Sequence, residues 1–305
     1  MIELPVHPGP VATERVTSVE GSYVRMRTRL TSADASGTGT PVSVMDALTQ
    51  AVRAAGSDYG FVEIGTGPLA RVEYCYPAYG DETHPMLYSA THVSEHATAL
   101  FGAATVGERV VPDGAAPEAR ERWSHIHLMW ADADGSVRGG HLWPETVVDG
   151  DGPEALVYAV HGFSLVNARD PETQLPVFGG HTEPGPQAGD GRILFARVAP
   201  NIELAEAIVE VCRRHGVRRA RPVAGTGSFV GVTLADRTTG ETIEIPGPAL
   251  EVMRLSGTID LDGPADAQVV LEMSAVDGRG AVHSGRLAQA GNPVGATFDL
   301  ALVVE

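Results

Sequence analysis

The chain repeats itself, and that repeat narrows the folds open to it more than any other feature. Residues 43–56 read SVMDALTQAVRAAG and residues 201–216 read NIELAEAIVEVCRRHG. In the first, Val44, Ala47, Leu48, Ala51, Val52 and Ala55 recur at helical spacing, with Ser43 placed as N-cap and Gly56 as stop. In the second, Leu204, Ala207, Ile208, Val211 and Cys212 draw the same stripe, begun by Asn201 or Ile202 and ended by Gly216. Gly-Thr-Gly follows each stop at the same distance, at 65–67 and 225–227, so helix, stop and glycine pair recur together at an offset of 160 residues.

A second correspondence lies downstream. Residues 123–142 (WSHIHLMWADADGSVRGGHL) and 268–287 (QVVLEMSAVDGRGAVHSGRL) each read as strand, acidic-glycine turn and strand, which is a β-hairpin. Their offset is 145, so the first copy holds extra residues, placed in the stretch 74–120. Residues 170–192 are rich in Pro and Gly without a period and read as a linker. The expected fold class is α+β: two tandem units, residues 1–169 and 193–305, each a mostly antiparallel β-sheet packed with one or two helices.

Composition excludes several functions. No apolar run approaches a bilayer-spanning length, and two cysteines, Cys75 and Cys212, cannot build a disulfide framework. MIELPVHPGPVATERV has no basic region followed by an apolar core, so a cytoplasmic location is expected. The formal net charge is −17 and all 22 basic residues are Arg. Lysine-based chemistry is thereby excluded, and nucleic acid is disfavoured as a partner.

The first hairpin carries the chemistry. His125 and His127 are two apart on a strand and share a face. Ala133-Asp134-Gly135 suits a three-residue loop closed by a left-handed glycine, which pairs Asp132 with Ser136. Stepping back along both strands sets His127 opposite His141, with His125 one diagonal step away. Three neutral imidazoles around an open fourth position suit Zn²⁺ or another divalent first-row metal. In the second hairpin the same register sets Glu272 opposite Arg286, with Val270 in place of His125, so one metal site per chain is expected.

Acid–base partners are sought in the neighbouring stretch YCYPAYGDETHPMLYSATHVSEH: the catalytic candidates are Glu73, Tyr74, His84 and His96, with His92, Tyr76, Tyr88, Asp81 and Glu82 as further polar groups. Cys75 reads as a buried strand thiol, and Trp123, Trp130 and Trp143 as aromatic walls near the hairpin. The Gly-Thr-Gly segments read as tight turns, since neither has dinucleotide-fingerprint spacing. Arg213, Arg214, Arg218, Arg219 and Arg221 form the one basic cluster, read as a solvated or interface face.

The second copy resembles the PPC (plants and prokaryotes conserved) domain. Gly225, Gly227 and Ser228, then Gly247, Pro248, Glu251, Leu255, Ser256 and Gly257, match its first motifs, with one extra residue between Pro248 and Glu251. The first copy matches its last motifs, His125-Ile126-His127 and Gly139-Gly140-His141-Leu142. The resemblance implies a tandem of two such domains, a metal at the three histidines, and a homo-oligomer, by family habit a trimer. It leaves two functions open. One is a metal-dependent hydrolase or lyase (or hydratase), zinc being the expected cofactor, that acts on a small-molecule substrate through bound water. The alternative is a DNA-binding or regulatory protein with a structural or vestigial metal.

Overall fold

The computed structural model describes residues 2–32, 41–80, 85–111, 119–184, 189–236, 238–247, 249–264 and 268–305. The first half runs β1 (Val16–Arg29), α1 (Val44–Ala54), β2 (Gly60–Ile64), β3 (Gly67–Cys75), β4 (Pro77–Tyr79), β5 (Met86–Tyr88), β6 (His92–Val110), β7 (Arg120–Ala131), β8 (Val137–Leu142), β9 (Val147–Val148) and β10 (Glu154–His161). A hairpin of β11 (Phe163–Arg169) and β12 (Pro176–Thr182) leads into the second half. That half runs β13 (Gly191–Val198), α2 (Leu204–Arg214), β14 (Arg219–Phe229), β15 (Val232–Ala235), β16 (Thr242–Ile245), β17 (Leu250–Asp260), β18 (Val269–Asp277), β19 (Val282–Leu287) and β20 (Val294–Val304).

The α+β expectation is corrected by this inventory. Strand makes up 59% and helix 8% of the structure, with two helices, so the fold is β-rich. Each half supplies one helix, and segments that looked irregular in sequence are strands. The 19-residue β6 runs through the stretch 74–120, and β12 lies within 170–192. The buried residues of β6 include Ala97, Ala99, Ala103 and Ala104, whose small side chains on both faces give alternation little hydrophobic contrast.

The two halves carry ladders of the same order. In the first half strands pair antiparallel in the order β1–β10–β2–β6–β7–β8. In the second half the order is β13–β20–β14–β17–β18–β19, the same succession of roles. β1 also pairs with β13, from Val16↔Val198 to Tyr23↔Gly191, which joins both ladders into one sheet.

Each helix covers one core. Leu48 and Val52 of α1 pack over Val62, Val106, Ile126 and Trp130, while Leu204, Ile208 and Val211 of α2 pack over Leu250, Phe298 and Leu300. Ser43 caps α1 by accepting from the Asp46 amide at 3.0 Å. The start of α2 differs from expectation: its N-cap is Glu203, whose carboxylate instead accepts from the amides of Gly291 and Asn292. Gly56 and Gly216 end the helices at φ of +94° and +64°, as the stop positions require. Among the described residues no helix is long and apolar enough to cross a membrane.

The stretch after β11 is anchored by a buried acid. Asp170 accepts from the Thr173 amide and hydroxyl at 2.8 and 2.9 Å and pairs with Arg197 of β13 at 2.7 Å. Burial raises its carboxyl pKa, but the Thr173 donors and Arg197 outweigh that and hold it below the usual carboxylate range. Asp170→Asn should therefore cost about 2 kcal/mol near neutral pH, through lost charge-assisted bonds. The group is depressed in the folded state, so the wild-type advantage is full above the unfolded value of about 3.9 and fades as pH falls through the lower folded value. Urea unfolding of both proteins across pH 2–6 checks this, and a gap that stays constant over that range would refute the assignment.

Candidate metal centre

The histidine hairpin has the register expected of its turn. Gly135 sits at φ +83°, the Asp132 amide donates to the Ser136 carbonyl at 2.9 Å, and His127 pairs with His141. The second hairpin repeats this with Gly280 at φ +78° and Glu272 paired with Arg286. One ligand atom from each of His125, His127 and His141 lies within 4.8 Å of the others. Ring centroids are 4.6, 5.2 and 5.4 Å apart.

The second half of the chain completes the site. His125 Nδ1 lies 3.0 Å from Asp299 Oδ2 on β20, and His127 Nδ1 lies 2.9 Å from the Val252 carbonyl on β17. Both partners accept, so both Nδ1 atoms carry the proton, an assignment from hydrogen-bond partners. With Nδ1 turned to those partners, the Nε2 atoms of the two rings face one another at 3.1 Å. A cation between the rings would be held by both Nε2 lone pairs. Nδ1 of His141 is buried without a partner, and so is Oε2 of Glu251. Carboxylate and carbonyl groups behind ligating imidazoles are the usual means of fixing their tautomer and raising their basicity. The donor set fits a divalent first-row metal.

Electrostatics agree. Burial, then the neighbouring histidines, pull His127 well below the ordinary imidazole value, and burial does the same to His141 with His125 adding to it. Both rings are neutral at physiological pH. Burial raises Glu251 to about 8, partly offset by the His141 backbone N–H. Its Oε1 stands 3.9 Å from His127 Nε2.

A cavity of about 100 Å³ opens beside the histidines. Tyr88, Trp123 and Trp143 line it together with Glu251, Ser228 and Thr297. Trp130 does not. It sits on the other face of β7, buried in the α1 core, with its indole N–H donating to Asp132 at 2.9 Å.

Three of the four candidate acid–base residues lie elsewhere. Glu73 is tied to Arg71 at 2.6 Å, Tyr74 packs against Trp130 with ring centroids 4.5 Å apart, and His96 is exposed on β6. None of the three lines the cavity. His84, Asp81 and Glu82 lie outside the described residues. Cys75 is buried and burial raises its thiol pKa, so it is no nucleophile at neutral pH. The second Gly-Thr-Gly is not a turn but part of β14, and Thr226 Oγ1 stands 3.4 Å from His125 Nδ1 and 3.5 Å from Asp299 Oδ2.

Glu251 and Asp299 had not been placed at the site from sequence. Glu251 stood in a matched motif, and Asp299 is a lone acid inside the apolar run ATFDLALVV, 0% exposed in the structure. The Arg cluster is largely neutralised: Arg214 pairs with Glu14 and Glu210, Arg218 with Asp262, Arg219 with Asp260 and Arg221 with Glu305.

No curated protein sequence matches the chain. Among solved structures, a plant- and prokaryote-conserved protein of Pyrococcus horikoshii is 22% identical with a TM-score of 0.33, over 38% of this chain and 80% of that one. A metal-containing protein of Archaeoglobus fulgidus is 16% identical with a TM-score of 0.32, over 59% of this chain and 98% of that one. A candidate DNA-binding protein of Ralstonia eutropha is 19% identical with a TM-score of 0.35, over 52% and 96%. The family match is confined to the second half: residues 185–304 fit the Plants and Prokaryotes Conserved (PCC) domain, the PPC domain of the sequence motifs, so the chain carries one PCC domain there.

Proposed function

We propose that this protein holds a divalent metal, zinc first among them, at His125, His127 and His141, and uses it on a small molecule in the adjoining cavity. The observation that carries this reading is the pair of Nε2 atoms facing each other at 3.1 Å, each ring with its Nδ1 held by a partner behind it. When bound, the metal supplies Lewis acidity, which polarises a carbonyl or acidifies water and suits hydrolase or lyase chemistry. Asp299 and the Val252 carbonyl orient the rings. Glu251 presents an unpartnered oxygen in the cavity wall and takes the acid–base role in place of Glu73, Tyr74, His84 and His96. The first half is a diverged second PCC unit on this reading, supported by its matching ladder order.

The test is metal analysis of the purified protein followed by zinc-dependent turnover of uncharged esters and lactones. About one zinc per chain supports the site, and a protein that takes up none after zinc loading ends the proposal. Asp299→Asn should lower zinc affinity about 10- to 100-fold, because the carboxylate behind His125 is lost. Competition with a chromophoric chelator measures it, and an unchanged affinity would leave Asp299 a purely structural acid.

A second reading is a DNA-binding or regulatory role with a structural metal, the alternative that the resemblance to the PPC domain leaves open. The net charge of −17 and the neutralised Arg cluster weigh against it. Salt-dependent binding to duplex DNA at physiological ionic strength, with no turnover of any ester or lactone, would favour it.

A further inference from the structure

We infer that the cavity beside the histidines takes a small, uncharged, flat oxo compound, a cyclic ester or amide in size and shape, with its oxygen set between Trp143 and Thr297. The inference rests on the metal reading for the chemistry but on separate residues for recognition. Buried polar atoms in folded proteins almost always have partners, and those that lack one call for an explanation such as a ligand. Trp143 Nε1 and Thr297 Oγ1 are both buried and unpartnered in the protein, and both residues belong to this one wall. An N–H donor and a hydroxyl together suit a carbonyl oxygen.

Shape and charge narrow the class. Tyr88, Trp143 and His141 form a three-ring cluster with centroids 4.9 to 5.4 Å apart, which offers aromatic faces to a flat molecule. The cavity volume of about 100 Å³ exceeds the roughly 30 Å³ share of one water several-fold, room for a small organic molecule. Among the described residues no arginine lines it, and arginine is the chain's sole strongly basic side chain. A dicarboxylate or a phosphate ester therefore finds no counter-charge beyond the metal, whereas a neutral carbonyl compound needs none.

The test uses zinc-loaded full-length protein and δ-valerolactam, an uncharged cyclic amide that resists hydrolysis, with glutarate as the anionic counterpart. The chain has three tryptophans, so its nitrogen–proton spectrum has three indole signals. The Trp143 signal should shift saturably with the lactam, while that of Trp130, bonded to Asp132, stays still. Thr297→Val should weaken lactam binding at least fivefold with zinc affinity unchanged within twofold, and Thr297→Ser should restore it. Zinc uptake with no Trp143 shift, or glutarate binding as tightly as the lactam, overturns this inference and leaves the metal site standing. A failure to take up zinc is read separately and overturns the metal reading.

Discussion

His127→Ala is expected to empty the metal site, so that zinc falls from about one per chain to less than a tenth of that in a three-ligand tetrahedral centre. His127 is the central ring, 3.1 Å from His125 and directly paired with His141, and its Nδ1–H is held by the Val252 carbonyl. Removing it breaks the donor set and leaves a buried carbonyl unpaired. The loss should show in stability too. A ligand present at a thousandfold over its dissociation constant stabilises by about 4 kcal/mol, and zinc should raise the wild-type melting temperature by roughly 8 to 16 °C for a domain of this size. In the variant, zinc should raise it hardly at all. His96→Ala is the control, because His96 is exposed on β6 outside the cavity. Equal losses in both variants would mean that the zinc effect is nonspecific.

The hairpin was legible because its geometry is local. A three-residue glycine loop fixes the register, and register plus alternation fixes which side chains face one another. The same logic predicted the Glu272–Arg286 register of the second hairpin. What lay beyond reach was everything that crosses from one half to the other. Asp299, Glu251 and the Val252 carbonyl approach the histidines from β20 and β17, more than a hundred residues away. Strand pairing at that distance leaves no periodic trace. Proximity in sequence pointed instead to Glu73, Tyr74 and His96, but Tyr74 faces the α1 core and Glu73 is held by Arg71. The β-rich character was under-read for a related reason: alanine-rich strands such as β6 bury their inner faces without the hydrophobic contrast that marks a strand.

Gly227→Val tests the link between the glycine pair and the metal. A Cβ at Gly227 would stand 2.7 Å from Phe298 Cα, Phe298 Cδ2 and the Thr297 carbonyl, closer than real packing permits. β14 and β20 pair here, Gly227 with Phe298, so the valine must force the strands apart at the residue preceding Asp299. Overpacking of a tight interior costs about 1–3 kcal/mol, and contact with three atoms, two of them backbone, places this change at the upper end, about 3 kcal/mol. Zinc affinity should fall as well, since Asp299 and Thr226 move with their strands. Gly56→Ala separates this from an ordinary glycine effect. Gly56 has φ +94° but nothing within 4 Å of the added Cβ. There the cost is backbone strain alone, about 1 kcal/mol, with zinc affinity untouched. Urea unfolding and chelator competition on both variants make the comparison. If Gly227→Val destabilised the protein yet bound zinc like the wild type, β20 would be free to shift without disturbing His125, and Asp299 could not be what holds that ring in place.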